Sequence, residues 1–414
     1  MPPQATVQRV REPVTGPEIT PQAYLAGIDA LLPGLRARSA DTEALGRVPD
    51  DIINDLTHAH VFRALQPVQW GGLELDPATF FEGMVRLASA CGSTGWVASV
   101  VGVHAWHIAL FAEAAQREVW GRDPDARAAT SLAPTGSVRR EEGGFHLSGR
   151  WSFCSGVDHC AWVLLGGLVP PPDPGEVPEY RTFLVPRAAF DIDQQSWNVT
   201  GLAGTGSKDI VVTGTFVPAH RTHSVIDVYH KADPGFAIND RPLYRLPWHL
   251  MFCNAIAAPS IGAAVGALRA FVDNNRVRVP AMGGPPVAQN PAMHRRLAQS
   301  MTEVEATRAR VEATWRTFLG MAEAGEEIPY LQRVQCKYEA AHALAVCPRA
   351  VYEVLEMNGG RTMHADTPLQ RFYRDLLAMR NHPAAALESA ASLYGGALLG
   401  GDRPPFNPSQ RIVL

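Results

Sequence analysis

The sequence predicts an α+β fold made of an N-terminal helical domain, a middle antiparallel β-domain and a C-terminal four-helix bundle. Three observations carry the prediction. Apolar residues recur at helical spacing through residues 18–124. Between 125 and 235 the pattern turns into short alternating segments parted by Pro, Gly and Asp. From 236 to 414 long helical patterns return.

The first zone begins with Leu25, Ile28, Leu31, Leu32 and Leu35 at helical spacing. Pro49 opens the segment DDIINDLTHAHVFRAL, as proline does at a first helical turn. Phe80, Met84, Leu87 and Ala88 mark a further helix. Gly92-Ser93-Thr94 then precedes an apolar run from Trp96 to Phe111, with Ser93 or Thr94 as its expected N-cap. In the middle zone GGFHLSGRWSFCSG alternates between glycines, and AWVLLGGLV, YRTFLVPR and DIVVTGTFVP are short, β-branched and bounded by turn residues. They predict roughly six to eight antiparallel strands closing as a barrel, with PPPDPGEVPEY as a surface hairpin loop. In the last zone helices are expected over about Leu250–Asn275, Pro291–Ala324 and Pro329–Met357, with two more between Pro368 and Leu399 and a break at GGPPVAQNP. Antiparallel helices of that length make a bundle.

Composition removes several function classes. The 41 acidic residues outnumber the 37 basic ones, so no basic excess marks the chain for nucleic acid or an anionic membrane. The six cysteines form no CxxC pair and no zinc-site spacing, which points to free thiols in a reducing compartment. The N-terminal MPPQATVQRVREPVTGPEITPQ lacks the apolar core of a secretory signal. Phe252–Leu268, the most apolar long stretch, contains Asn254 and Pro259 and reads as a buried helix. A cytoplasmic chain with no membrane or nucleic-acid partner is expected.

Four blocks then narrow the reading: ACGSTGWVASVVGVHAWHIALF (90–111), SGRWSFCSGVDHCAWVLLGGL (148–168), GLAGTGSKDIVVTGTFVPAHR (201–221) and PLQRFYRDLLAMRNH (368–382). Together, and in the order helices, strands, helices, they resemble the two-component flavin-dependent monooxygenases of the acyl-CoA dehydrogenase fold, such as the oxygenase components of p-hydroxyphenylacetate hydroxylases. The resemblance runs from about residue 20 to 400. It implies a reduced flavin, FMN ahead of FAD, delivered by a separate NAD(P)H flavin reductase. It also implies O2 as co-substrate, a flavin C4a-hydroperoxide, a small phenolic or indolic substrate and a homotetramer. Reduced flavin is expected to bind tightly and oxidised flavin weakly.

The resemblance also implies roles for single residues. Ser155 takes the place of the hydroxyl that holds flavin N5–H, and Phe153 would pack on the isoalloxazine ring. Trp96 matches a flavin-contacting tryptophan, and Thr130 and Ser131 match a strand along the pyrimidine edge. Gly359 and Gly360 match a turn beside the flavin. Arg276, with Arg278 as the alternative, would reach a flavin phosphate, which suits a planar guanidinium. His382 stands where a histidine handles a proton near C4a, a task that an imidazole pKa near neutrality fits. His104 stands where a histidine bonds the substrate hydroxyl. His104 and His107 are three apart on a helix, but no third ligand has suitable spacing, so no metal is expected.

A true acyl-CoA dehydrogenase needs a carboxylate base to take the α-proton of its thioester. Many place a glutamate shortly after the Arg-Asp pair. Here Arg374-Asp375 leads instead to His382-Pro383, and the first glutamate downstream is Glu388. This favours the monooxygenase reading. A non-catalytic chain on the same scaffold would not need Ser155, His382 and Arg276 together. GTGSKD (204–209) lacks the spacing and strand–helix context of a phosphate loop and reads as a turn of the β-domain.

Overall fold

A computed structural model describes residues 19–173, 175–279 and 285–410. The N-terminal residues 1–18, Pro174 of the hairpin loop, 280–284 at the start of the interhelical break and 411–414 lie outside the described residues. The three expected zones follow one another in the expected order.

Six helices form the first zone: α1 (Pro21–Ala37), α2 (Ser39–Leu45), α3 (Asp50–His58), α4 (Pro77–Ala90), α5 (Gly92–Ile108) and α6 (Glu113–Trp120). Asp76 caps α4 by accepting from Thr79 N–H, with Pro77 at the first helical position. Every residue of α5 is buried, so this helix has no solvent face and runs through the core. It starts two or three residues before the sequence reading. Cys91 holds the cap position, and Ser93 and Thr94 lie within the first turn rather than capping it. The cause is tertiary. A Cβ on Gly92 would lie 2.5 Å from an oxygen of Asp375, so glycine lets a carboxylate approach the positive end of the helix.

Eight strands follow: β1 (Ala128–Ser131), β2 (Ser137–Glu141), β3 (Gly144–Cys154), β4 (Trp162–Val169), β5 (Glu179–Pro186), β6 (Asp191–Asp193), β7 (Lys208–Pro218) and β8 (Thr222–Ser224). The expected single antiparallel barrel needs correction in two ways. The strands form two four-stranded sheets, ordered β1-β4-β5-β8 and β2-β3-β7-β6. β1 and β4 also pair in parallel, from Ala128 opposite Trp162 to Ser131 opposite Leu165. Between them the chain crosses to the other sheet to make β2 and β3, and a crossover of that length lets β4 re-enter in the direction of β1. Phe145 and Phe183 meet between the sheets with ring centroids 5.6 Å apart. β4 and β5 form the expected hairpin.

A short helix, α7 (Val225–His230), closes the middle zone, and the last zone holds α8 (Trp248–Asn275), α9 (Pro291–Glu323), α10 (Tyr330–Leu355), α11 (Pro368–Arg380) and α12 (Leu387–Leu398). α10 packs against α8, α9, α11 and α12. α8 is long and apolar enough to cross a membrane, but it is the buried centre of the fold. It lies close on α4 because Gly262 and Gly266 face it: an added Cβ would stand 2.2 Å from the Val85 carbonyl oxygen or 2.5 Å from that of Ser89. The C-terminal tail returns to the strands. Tyr180 N–H donates to the Pro408 carbonyl at 2.7 Å, and Phe406 stacks on Tyr229 with centroids 4.0 Å apart. All six cysteines are buried free thiols.

Candidate active site

Three distant segments meet at Ser155. β3 ends in a register shift after Trp151, and Phe153 takes a left-handed φ of 65°, uncommon for a bulky residue and a mark of local constraint. Gly156 follows at φ 70°, where a Cβ would stand 2.8 Å from Val97 of α5. The strand therefore turns sharply against α5 and delivers Ser155 to Trp96. Trp96 Nε1–H donates to Ser155 Oγ at 3.0 Å. Ser155 Oγ lies 2.7 Å from Ser207 Oγ, and Ser207 Oγ lies 2.6 Å from Thr205 Oγ1. From the other side, the His382 ring stands edge-on to Trp96 with centroids 5.8 Å apart. Its Nδ1 accepts from Ala384 N–H at 3.1 Å, so the neutral ring carries its proton on Nε2. Phe153 is 71% exposed and meets Trp197 edge-on.

α11 and the 201–207 turn are locked together beside this point. Asp375 Oδ1 accepts from Leu202 N–H at 2.6 Å, and Arg374 donates to the Thr200 carbonyl at 2.7 Å. Asp375 is buried, and burial pushes its carboxyl up to about 7. The same helix leads on to His382, so one contact sets both the hydroxyl turn and the imidazole.

Two turns along α5 from Trp96 lies a box of aromatic rings. His104 packs at 5.7 Å from Phe252. His107 packs at 5.2 Å from Phe252 and 5.5 Å from Trp248. Both nitrogens of His104 and Nδ1 of His107 are buried without a hydrogen-bond partner. Burial holds the His104 imidazole down at about 3 and that of His107 well below its usual value, so both rings are neutral. Each unpaired buried group costs about 1–3 kcal/mol. Such groups aimed into apolar surroundings are what a ligand with one polar edge would satisfy. Behind them, His107 Nε2 lies 3.2 Å from His223 Nδ1, and His223 Nε2 bonds the Asp233 carboxylate. One proton lies between His107 Nε2 and His223 Nδ1, and His107 Nδ1 has no hydrogen-bond partner.

The remaining expected residues have other hydrogen-bond partners or lie at the surface. Thr130 and Ser131 sit on β1, and the Thr130 hydroxyl donates to the Leu164 carbonyl at 2.8 Å. Arg276 is exposed at the end of α8. Arg278 is the arginine drawn toward the glycine turn: it donates to Asn358 Oδ1 at 2.8 Å. Gly359, at φ 67°, would place a Cβ 3.6 Å from Arg278 Nη2. Gly360 is exposed beyond it. Sequence reasoning assigned no role to Thr205, Ser207, Asp375, His223 or Asp233. The i, i+2 hydroxyls of GTGSKD were a visible signal for the first two.

Comparison with known proteins identifies the family. The family model described as acyl-CoA dehydrogenase, C-terminal domain, matches residues 254–386. The flavin-dependent monooxygenase oxygenase subunit HsaA of Rhodococcus jostii (strain RHA1) is 39% identical over 374 residues, 90% of this chain and 97% of that protein. The FADH(2)-dependent resorcinol hydroxylase oxygenase component of Rhizobium sp. (strain MTP-10005) is 32% identical over 400 residues, 93% of this chain and 95% of that one. The crystal structure of 3-HSA hydroxylase from Rhodococcus sp. RHA1 matches with a TM-score of 0.88 at 38% identity, covering 94% of this chain and 98% of its own. Fold and relatives converge: the chain belongs to the flavin-dependent monooxygenases, as an oxygenase subunit on the acyl-CoA dehydrogenase fold whose flavin reductase is a separate protein.

Proposed function

We propose that this oxygenase subunit hydroxylates the ring of a phenol. The observation that carries the substrate class is His104. Both its nitrogens are orphaned inside an aromatic box, and a phenol offers a flat apolar body with one hydroxyl edge. The box begins about 12 Å along α5 from Trp96, at 1.5 Å per residue, so a ring seated there can reach toward Ser155 and His382. The neighbouring unpartnered Nδ1 of His107 suits the same hydroxyl. A relative named for resorcinol supports the assignment.

The residues present fit a reduced flavin. The meeting of the Trp96 indole, the Ser155 hydroxyl and the His382 imidazole offers a ring face, a hydrogen-bonding oxygen and a proton-bearing nitrogen. Arg278 and the open backbone at Gly359 suit a phosphate end. The bound flavin supplies the oxygen-activating chemistry. This chain binds it, excludes water from its reactive edge with the buried wall of α5, and moves protons through His382 Nε2. Thr130 and Ser131 would border the pyrimidine edge, Phe153 a ring face and Gly360 the outer turn. FADH2 is the first flavin to test, since the resorcinol relative is named for it, with FMN as the comparison. Exposed Val277 and Val279 beside Arg278 suit a subunit interface; a homotetramer is the assembly expected, and light scattering measures it. A cytoplasmic location would place the chain beside an NAD(P)H-dependent reductase.

The deciding assay supplies reduced flavin enzymatically and offers phenols and indoles, with products identified by mass spectrometry. Hydroxylated phenol is expected. Hydroxylation of indoles but of no phenol would sink the substrate assignment.

A further inference from the structure

Counting protons along the hydroxyl chain behind Ser155 fixes the sense of each hydrogen bond. Thr205 Oγ1 lies 2.8 Å from the Leu202 carbonyl oxygen. A carbonyl has no proton, so the single hydroxyl proton of Thr205 lies between them. Ser207 Oγ is 2.6 Å from Thr205 Oγ1; with the Thr205 proton committed, this contact uses the proton of Ser207. Ser155 Oγ is 2.7 Å from Ser207 Oγ, and by the same count it spends its own proton there. The Trp96 indole N–H, a donor only, takes one lone pair of Ser155 Oγ at 3.0 Å. Ser155 is left with one lone pair and no proton. Toward anything else it can only accept. All three hydroxyls are buried, and the chain ends on a backbone oxygen that cannot be reversed.

A flavin differs between its redox states at one relevant atom: N5 carries a proton in the reduced ring and a bare lone pair in the oxidised ring. An acceptor-only oxygen beside N5 bonds the first and faces the second lone pair to lone pair. We propose that Thr205 and Ser207 are positioning residues that hold the Ser155 proton away from the flavin and so set the preference of this chain for reduced over oxidised flavin. The inference rests on the reading that Ser155 faces N5. It gives the 205–207 turn a purpose in the two-protein cycle. Spent flavin meets a mismatched hydrogen bond and leaves for the reductase.

Thr205→Val tests it. The substitution keeps the shape, and the Leu202 carbonyl keeps the bond from the residue 205 backbone N–H, 3.0 Å in the parent. Ser207 is then free to turn its proton to Ser155, and Ser155 to turn its own toward N5. The measurements are dissociation constants for oxidised FAD and FMN and, under anaerobic conditions, for their reduced forms, together with the midpoint potential of the bound flavin. Oxidised flavin is expected to bind about three- to tenfold tighter in the variant, the strength of one hydrogen bond, with reduced flavin changed by less than about threefold. The bound potential should fall toward that of free flavin by up to about 30 mV, the equivalent of tenfold in a two-electron couple. Thr205→Ser should restore the parent ratio. An unchanged ratio in Thr205→Val, or a parent that binds both redox states equally, overturns the inference. Absence of flavin binding in either state overturns the Ser155 reading with it. Normal hydroxylation beside an unchanged ratio removes the inference alone.

Discussion

Removing the Ser155 hydroxyl withdraws the hydrogen-bond acceptor of the Trp96 indole N–H, buried where water does not replace it. Ser155→Ala is therefore expected to cost about 1–3 kcal/mol in stability and to uncouple the enzyme, with more hydrogen peroxide and less product per flavin oxidised. Paired peroxide and product assays check this; a parent-like ratio would take Ser155 out of the site. Asp375 gives a pH prediction. Its folded pKa, about 7, is raised above its unfolded value. Its favourable contribution is thus complete below about pH 4 and lost as the pH rises through about 7. Asp375→Asn keeps an acceptor for Leu202 N–H and removes that loss. Its melting temperature should fall less than the parent's between about pH 5 and 8, and parallel curves would refute the assignment. Ser155, Trp96 and His382 were legible because each sits in a local block of sequence. Thr205 and Ser207 gained a role only when folding brought the turn to β3. The choice between Arg276 and Arg278 was not legible, because the helix ends at Asn275 and beyond it helical spacing no longer says where a side chain points.

Helices were legible wherever one face is apolar or a proline marks the first turn, as at Asp76-Pro77 and Pro291. The start of α5 was not, because a carboxylate from α11 rather than a local hydroxyl meets its first turn. The parallel partner of β1 was equally hidden, since strand patterning reports which face is buried and not which strand lies alongside. The α4–α8 contact shows how tightly elements can depend on single residues. Gly262→Ala would set a methyl 2.2 Å from the Val85 carbonyl oxygen, and overpacking of this kind costs roughly 1–3 kcal/mol. A lower urea midpoint with an unchanged slope is expected. An unshifted midpoint would show that the helices part without strain.

Across the whole molecule, the order of helices, strands and helices was readable from periodicity, and the chemistry from four blocks spread along the chain. The aromatic box proposed for the substrate was only half visible: His104 and His107 lie on one helix, but His223, Asp233, Trp248 and Phe252 arrive from other segments. The burial of all six thiols has a consequence for the working life of the enzyme. Any turnover that fails to transfer oxygen releases hydrogen peroxide at the site, and that oxidant attacks thiolates. Here burial pushes Cys160 and Cys347 up to about 12 and raises Cys91, Cys154 and Cys336 as well. The protein offers its own by-product almost no reactive sulfur in the thiolate form. Mass spectrometry after idle turnover should find the cysteines intact and sulfoxide at Met363, which is 82% exposed. Loss of thiol titre before that would mean the core opens during catalysis. A catalyst that leaks an oxidant is thereby armoured against self-inactivation, and its sacrificial sulfur lies outside the core.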